Sequence, residues 1–505
     1  MPALPPSHRG QDNVHPDLMI DLSRRLARNA YDRKSNPSGI VDLGSATNEL
    51  MLGELQKWYS KYKRNDDKAR YLRYNDTQCA PGLPTAAAEF MNKHFHPRVL
   101  LTSSNILAAN GATALLDTVF FNVADGGDVV LVPTPTYGMF LHDVAARNGL
   151  RLIGVPCDDI TEARFRQHVR PGRPQPELVA RLELAAAEQR RMGRRVAALL
   201  IANPENPLGR CYTAEVLWYL VEFCQREGLH FVVDEIYALS AGPSFTSVLS
   251  LDLKDGLENV HVLWGMSKDF GLGGCRVGFL ATYNQRLYQT MRTLSMFTWI
   301  SAFGGILSTR LLTDRKFVTN RYLPMLHKTL NKRRQQLDKF LSANLIGYIV
   351  PEAAFFVFID LSSWLGDVEG NNDKEREIAL SEFLMDYGVF LEPGQAFFSK
   401  YPGRFRLNYG TEEAVFNLGL SRLAMALRKL DGADKVAVKK KRAKITKNAV
   451  FLHFDDNLAA LGDVIEEVVN TNSSITSSYT TSYRSDDAST PERSKSHVAR
   501  RTSQA

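Results

Sequence analysis

The sequence predicts an α/β protein: a large domain with a mostly parallel central sheet flanked by helices, joined to a smaller α+β domain. Three observations predict it. Between about residues 100 and 285, short apolar runs alternate with helical patterns, the signature of strands linked by helical crossovers. Between about 315 and 430 the pattern changes to a long helix, a strand, a second helix and a last strand. The length of 505 residues exceeds what one compact core supports.

In chain order, positions 17–31 (DLMIDLSRRLARNAY) read as a short amphipathic helix, and Asn36-Pro-Ser-Gly39 breaks the chain. The apolar runs that follow are VVLV (129–132), RLIGV (151–155), ALLIA (198–202), HFVVD (230–234), VHVLW (260–264) and RVGFLA (276–281). They are nearly continuous in Val, Leu and Ile, as strands buried on both faces are. Segments 112–123 and 213–227 fit the crossover helices, and 161–195 is a further helical crossover interrupted by PGRPQP. Then come a long helix carrying Lys332-Arg-Arg, the strand AFFVFID (354–360), a helix at 375–387 and the strand RFRLNY (404–409). After residue 431 the chain turns basic (435–447). An apolar stripe Phe451, Phe454, Leu458, Leu461, Ile465, Val468 then follows at helical spacing, and the last 35 residues are Ser/Thr-rich, a composition that stays disordered.

The totals exclude several classes. Apolar residues make up 44% and charged residues 23%, as in a globular chain. No apolar run approaches the roughly 20 residues of a membrane span, and no secretory h-region is visible near the start. The five cysteines, Cys79, Cys157, Cys211, Cys224 and Cys275, form no C-x-x-C pair. This points to reduced thiols and a cytoplasmic protein rather than a disulfide framework or a zinc site. No metal-ligand cluster is expected. The net charge of +7 is weak evidence for a nucleic-acid partner, and the basic run at 435–447 reads more simply as a solvated linker than as an anionic-surface patch.

The stretch Gly265–Phe279, GMSKDFGLGGCRVGF, carries the chemistry. It holds Lys268 among five glycines, with Ser267 before it and Arg276 eight positions after. A lysine held so tightly suits a Schiff base with a carbonyl cofactor. Pyridoxal 5′-phosphate (PLP) asks for an acid beside its ring nitrogen, donors for its phenolate oxygen and a cradle for its phosphate. Asp234 ends an apolar strand, where ligands collect in α/β sheets. Tyr237 and Asn206, the latter in Asn203-Pro-Glu-Asn-Pro-Leu-Gly209, are candidate donors. Ala112 and Thr113 open a helix whose backbone N–H groups suit a phosphate, and Ser267 and Arg276 complete the cradle. Tyr137, in VPTPTY, is placed to stack on the ring. Taken singly, each has a plain structural reading: a surface lysine, a helix-capping Asp, a turn-forming Asn, a packing Tyr.

Together and in order, NPENPLG, VVDEIY and MSKDFGLGGCRVG resemble the fold-type-I PLP enzymes. More narrowly they resemble the 1-aminocyclopropane-1-carboxylate (ACC) synthase-like branch of the class I/II aminotransferases, as do NPSGIVDLG (36–44) and GATA (111–114). The resemblance spans about 36–430 and implies roles: Lys268 as the catalytic, cofactor-linked amine, Asp234 as the ring-nitrogen partner, Asn206 and Tyr237 at the phenolate. It implies Tyr137 as the stacking ring, and Ala112, Thr113, Ser267 and Arg276 at the phosphate. It makes Arg406, in GRFRLN (403–408), and Ala46 substrate contacts, with Arg406 taking an α-carboxylate. It implies a homodimer acting on a small amino substrate, with no nucleic-acid or membrane partner. The expected division is 1–60 for an N-terminal arm and part of the small domain, 61–310 for the large PLP-binding domain, 311–430 for the small domain and 431–505 for the tail.

Departures bear on the reaction. Where ACC synthases carry a glutamate in G-x-A-E-N-x-L, this chain has Thr47; where F-Q-D-Y-H-G is usual, it has Thr77 in YNDTQC; and the first Ser of S-x-S-K is Gly265. These disfavour ring closure on S-adenosylmethionine. The expected activity is that of an aminotransferase on an amino acid or amino-acid-derived metabolite, of the kind found in fungal secondary metabolism. A β/γ-eliminating carbon–sulfur lyase, an ACC synthase-like lyase and an inactive scaffold are the alternatives.

Overall fold

Where the side chains of the apolar runs go explains why the runs are strands. Successive strand residues point to opposite faces. In the run at 129–132, Val129 and Leu131 enter one core cluster and Val130 and Val132 another. Leu199 and Ile201 divide from Ala198 and Leu200 in the same way, and Phe231 and Val233 from Val232. A strand covered on both faces has no polar side, hence the unbroken apolar text.

The computed structural model describes residues 7, 10–11, 17–62, 72–160, 175–253 and 256–432. The basic run at 435–447, the stripe at 451–468, the Ser/Thr-rich end and residues 161–174 of the third crossover lie outside the described residues. The strands are β1 (Val41–Asp42), β2 (Ile106–Ala109), β3 (Val129–Thr134), β4 (Arg151–Pro156), β5 (Val196–Ala202), β6 (His230–Asp234) and β7 (Val260–Gly265). They continue with β8 (Gly278–Thr282), β9 (Gly347–Ile349), β10 (Phe356–Asp360), β11 (Val389–Phe390), β12 (Glu392–Pro393) and β13 (Arg404–Asn408).

Seven strands form one sheet in the order β2-β8-β7-β6-β5-β3-β4. Neighbours from β7 to β4 pair in parallel. Strand β8 runs against both β7 and β2, so β2 shares the direction of the parallel set. The carboxyl ends of every strand except β8 therefore lie on one edge. The sheet is mixed and mostly parallel, as expected. One detail differs: β4 was expected to be buried on both faces, yet Arg151, Gly154 and Pro156 are exposed. It is the edge strand, and its apolar run alone does not reveal that position.

Helices cover the sheet where local signals place them. Ala112–Val123 follows Gly111 directly. Ala214–Glu227 begins at Thr213, whose hydroxyl accepts from Val216 N, and ends at Gly228 in the left-handed region, a side-chain cap and a glycine stop. The first amphipathic helix runs Leu18–Arg28, capped by Asp17. The long helix is Leu323–Ala343, with Pro324 in its first turn, where the missing N–H costs nothing.

A four-stranded antiparallel sheet, β12-β13-β10-β9, follows. Strand β1 pairs in parallel with β11, tying the N-terminal segment to the C-terminal elements. This positions residues 43–49 beside β13: Asn408 N donates to Leu43 O at 2.7 Å, and Asn408 Nδ2 donates to Ser45 O and Thr47 O. The described residues all fall within one compact unit, Met1–His453; the division at 60, 310 and 430 is kept as a proposal. No helix among the described residues is long and apolar enough to cross a membrane. Among the same residues no group of three or more His, Cys, Asp or Glu is placed to hold a metal ion.

Candidate active site

A crevice outside the carboxyl ends of the parallel strands is where ligands bind in open α/β sheets, and this protein has one. Asp234 is the last residue of β6. Tyr137, Asn206 and Lys268 stand on the loops that leave β3, β5 and β7, and Ala112 and Thr113 open the helix that leaves β2. All six line a single cavity of about 540 Å³, and Tyr237, Ser267, Arg276 and Ala46 line it too. Residues spread over 230 positions of sequence meet there because the strands share a direction.

Lys268 Nζ donates to Ala46 O at 2.7 Å. Burial lowers the lysine from 10.5 to about 8; the charges of Arg406 and Arg276 push the same way and Asp234 opposes them. Desolvation disfavours the ammonium, so the amine is neutral in much of the population at mildly alkaline pH. Asp234 accepts from Ile236 N at 3.2 Å. Burial raises it from 3.8 to about 7, against the Ile236 N–H and Lys268. A cation beside this carboxylate favours its ionised form. Burial also pushes the phenols of Tyr137 and Tyr237 upward, so both are hydrogen-bond donors at neutral pH. The Tyr237 ring is held edge-on by Phe356, with centroids 5.2 Å apart.

The glycine-rich geometry leaves a cradle beside Arg276. Gly111 has φ +117°, and a Cβ there would lie 2.5 Å from Arg276 Nη2. A Cβ on Gly278 would lie 2.8 Å from Ala112 N, the first N–H of the helix Ala112–Val123. Arg276 itself sits at φ +50°, a conformation uncommon for a side-chain-bearing residue and most often found at functional sites. A guanidinium, a helix N-terminus and the Ser267 and Thr113 hydroxyls around a space no side chain fills suit a phosphate dianion. A lysine amine and a buried carboxylate on the same cavity suit an aldehyde and a ring nitrogen. The donor set therefore fits PLP: Lys268 for the aldehyde, Asp234 for the ring nitrogen, Arg276 and its neighbours for the phosphate.

Arg406 is placed differently from the other sequence-predicted residues. It is buried (2% exposed) and borders the cavity through Asn206 rather than lining it. Its Nε and Nη2 donate to Gly44 O at 3.1 and 2.7 Å, and its Nη1 donates to Asn206 Oδ1 at 2.9 Å. Thr47 lines the cavity rim. Thr77 does not: its hydroxyl bonds Ser295 Oγ at 2.7 Å. Gly265 ends β7, where a Cβ would lie 2.9 Å from Val277 O, so the departure from Ser at that position is a close packing of β7 on β8.

Two lining residues escape the motif reading. Asn48 Nδ2 donates to Lys268 O at 2.9 Å, and its own carbonyl sits where a Cβ on Gly271 would be, 2.2 Å away. Asn48 thus clamps the N-terminal segment onto the lysine loop. Asp143 (6% exposed) also lines the cavity. Burial raises it to about 7, with Asp234 adding and His142 and the Thr113 hydroxyl opposing. The signal was the three-residue spacing of Tyr137, Phe140 and Asp143, all on the cavity. His142 pairs with Asp17 Oδ2 at 2.9 Å and so ties the start of the first helix to this segment.

Comparison with known proteins gives one answer at three levels. A family model described as "Aminotransferase class I and II" matches residues 38–423. The human 1-aminocyclopropane-1-carboxylate synthase-like protein 1 is 31% identical over 401 residues, 79% of this chain and 78% of its own. The tomato (Solanum lycopersicum) 1-aminocyclopropane-1-carboxylate synthase 3 is 28% identical over 80% of this chain and 85% of its own. The crystal structure of the aspartate aminotransferase from Rhizobium meliloti superposes with a TM-score of 0.66 at 22% identity, covering 84% of this chain and 99% of that one; it shows the shared fold. The chain belongs to the class I and II aminotransferases, a PLP-dependent family, within its ACC synthase-like branch.

Proposed function

We propose that this protein is an aminotransferase acting on an amino acid or an amino-acid-derived metabolite, working as a homodimer. The observation that carries the reading is the meeting of Lys268 and Asp234 on one cavity whose rim presents Thr47. A threonine there cannot serve as the carboxylate that ACC synthases carry at that position; the carboxylate on this rim is Glu49, two residues further on.

When bound, PLP supplies an aldehyde for the substrate amine and a protonated ring that stabilises the electron pair left on the substrate carbon. The protein's own residues do the rest. Lys268, lowered to about 8, is an amine poised to take a proton from the substrate carbon and to return it elsewhere. Asp234, anchored by the Ile236 N–H, supplies the fixed negative charge. Asn206 and Tyr237 orient the ring oxygen, and Arg276 with the Gly111–Ala112 turn holds the phosphate. The N–H groups of Arg406 not engaged by Gly44 or Asn206 bind a substrate carboxylate. Residues 46–49 overlie the lysine and exclude water.

The test is a spectrum of the purified protein followed by incubation with amino acids and a keto acid. The expected result is cofactor absorbance and consumption of the keto acid. Ammonia and a new keto acid without an acceptor would assign the lyase reading instead. Absence of cofactor absorbance after loading with PLP would assign the scaffold reading.

A further inference from the structure

We propose that Glu392 sets how firmly the active site holds a substrate carboxylate, because it shares Arg406 with that carboxylate. The inference rests on Arg406 being the carboxylate clamp.

Glu392 opens β12 and stands directly opposite Arg406 on β13. Opposed residues of an antiparallel pair project from the same face. Both side chains are 3% exposed, and Glu392 Oε2 lies 4.0 Å from Arg406 Nη2. That is a charge contact without a hydrogen bond. Glu392 Oε1 is buried and has no hydrogen-bond partner, a costly arrangement for a carboxylate.

Of the five guanidinium N–H groups, one on Nε, one on Nη2 and one on Nη1 already serve Gly44 and Asn206. An incoming carboxylate takes the remaining terminal N–H groups, and one of these is on Nη2, the nitrogen facing Glu392. Two ionised carboxylates on one guanidinium repel, so one of them holds a proton more tightly. The charged groups facing Glu392 are Arg406 from β13, Asp42 from β1 and Asp17 at the start of the first helix; the Tyr137 phenol lies near as well. Burial dominates and raises Glu392 to about 7, with Arg406 opposing and the two aspartates adding.

Below that value Glu392 is neutral and leaves Arg406 to the ligand. Above it, docking a carboxylate forces Glu392 to take up a proton. Affinity for carboxylates then falls by up to about tenfold per pH unit, and a ligand without a carboxylate is spared the loss.

The experiment is calorimetric titration of the PLP-loaded protein with propionate, and with propionamide as the uncharged control, at about pH 6.5 and about pH 8.5, in buffers of different ionisation heat. Lys268 and Asp234 titrate in the same range, so the readout is the difference between wild type and Glu392→Gln. The expected result is proton uptake and weakened propionate binding at the higher pH in wild type, with both effects reduced in Glu392→Gln. Glu392→Ser serves as a second neutral variant should the first lose its cofactor. Equal pH slopes in wild type and variant overturn the proposal. Adding Arg406→Gln to Glu392→Gln separates the two ideas: propionate affinity unchanged by that step removes the clamp reading itself, whereas affinity lost there with equal slopes above removes the Glu392 proposal alone.

Discussion

Asn206 Oδ1 accepts a hydrogen bond from Arg406 Nη1 at 2.9 Å, across 200 positions of sequence. The bond joins the loop after β5 to β13, so a residue lining the cavity and the buried arginine beside it are tied together. Asn206→Ala removes the acceptor and leaves a buried guanidinium N–H unmet, a loss of about 1.5–3 kcal/mol for a bond to a charged group. The expected outcome is a rise of roughly ten- to a hundredfold in KM for carboxylate substrates together with weaker cofactor retention. A double-mutant cycle with Arg406→Lys is expected to show the two losses as strongly non-additive.

Lys268 is the group whose removal helps the empty protein and disables the loaded one. Its folded value of about 8 lies below the 10.5 of an exposed lysine, so the unfolded chain binds the proton more tightly. The cost to stability is full below about pH 8 and disappears as pH rises towards 10.5. Lys268→Met is expected to stabilise the cofactor-free protein at neutral pH by at most about 3 kcal/mol, with the gain shrinking in alkali. The same variant is expected to lose the spectral signature of covalently held PLP. Thermal melts of the apoprotein across pH measure the first outcome and absorbance the second.

The contact between half-buried His230 and buried His261 predicts acid lability. His230 Nδ1 and His261 Nε2 are 2.9 Å apart, and His261 Nδ1 meets Thr282 Oγ1 at 2.9 Å. Burial lowers His261 from 6.5 to about 3, with His230 adding, and lowers His230 as well. A base with a depressed folded value contributes stability that is present above the unfolded value and lost as pH falls below it. Melting temperature is therefore expected to drop between about pH 6.5 and pH 3, by an amount equivalent to up to about 5 kcal/mol for His261. His261→Gln is expected to flatten that slope; an unchanged slope would show that carboxylates carry the acid transition.

How much of this was readable in the sequence depends on the kind of constraint. Asp234, Asn206 and Lys268 were legible because strands buried on both faces print unbroken apolar runs, and a parallel set brings their carboxyl ends to one edge. The reversed direction of β8 was not, since the site loop between β7 and β8 hides the short return in glycines. Arg406 could be named by resemblance, but its retreat behind Gly44 and Asn206 is set by bonds reaching 362 residues away, which no local pattern encodes. Asp143 was missed because a lone acid after Tyr137 belongs to no motif, and only the fold shows that Tyr137, Phe140 and Asp143 reach one cavity. Glu392 is invisible without the pairing of β12 with β13.

The cradle gives the last expectation. Gly111→Ala places a methyl group 2.5 Å from Arg276 Nη2, inside any allowed contact, on a backbone with φ +117° that alanine resists. The guanidinium is the far end of a flexible side chain, so it is expected to swing away rather than the sheet to open. The protein is expected to fold with a stability loss of about 1–2 kcal/mol, while PLP affinity falls roughly ten- to a hundredfold because the phosphate loses its bidentate partner. The contrasting substitution is Gly278→Ala, whose methyl group meets backbone at 2.7 and 2.8 Å on Gly111 and Ala112. Backbone cannot step aside, so this variant is expected to lose far more stability. Equilibrium dialysis of PLP against both variants, alongside their melting curves, separates displacement of one side chain from distortion of the strand edge. Equal cofactor affinity in Gly111→Ala and wild type would show that Arg276 does not hold the phosphate.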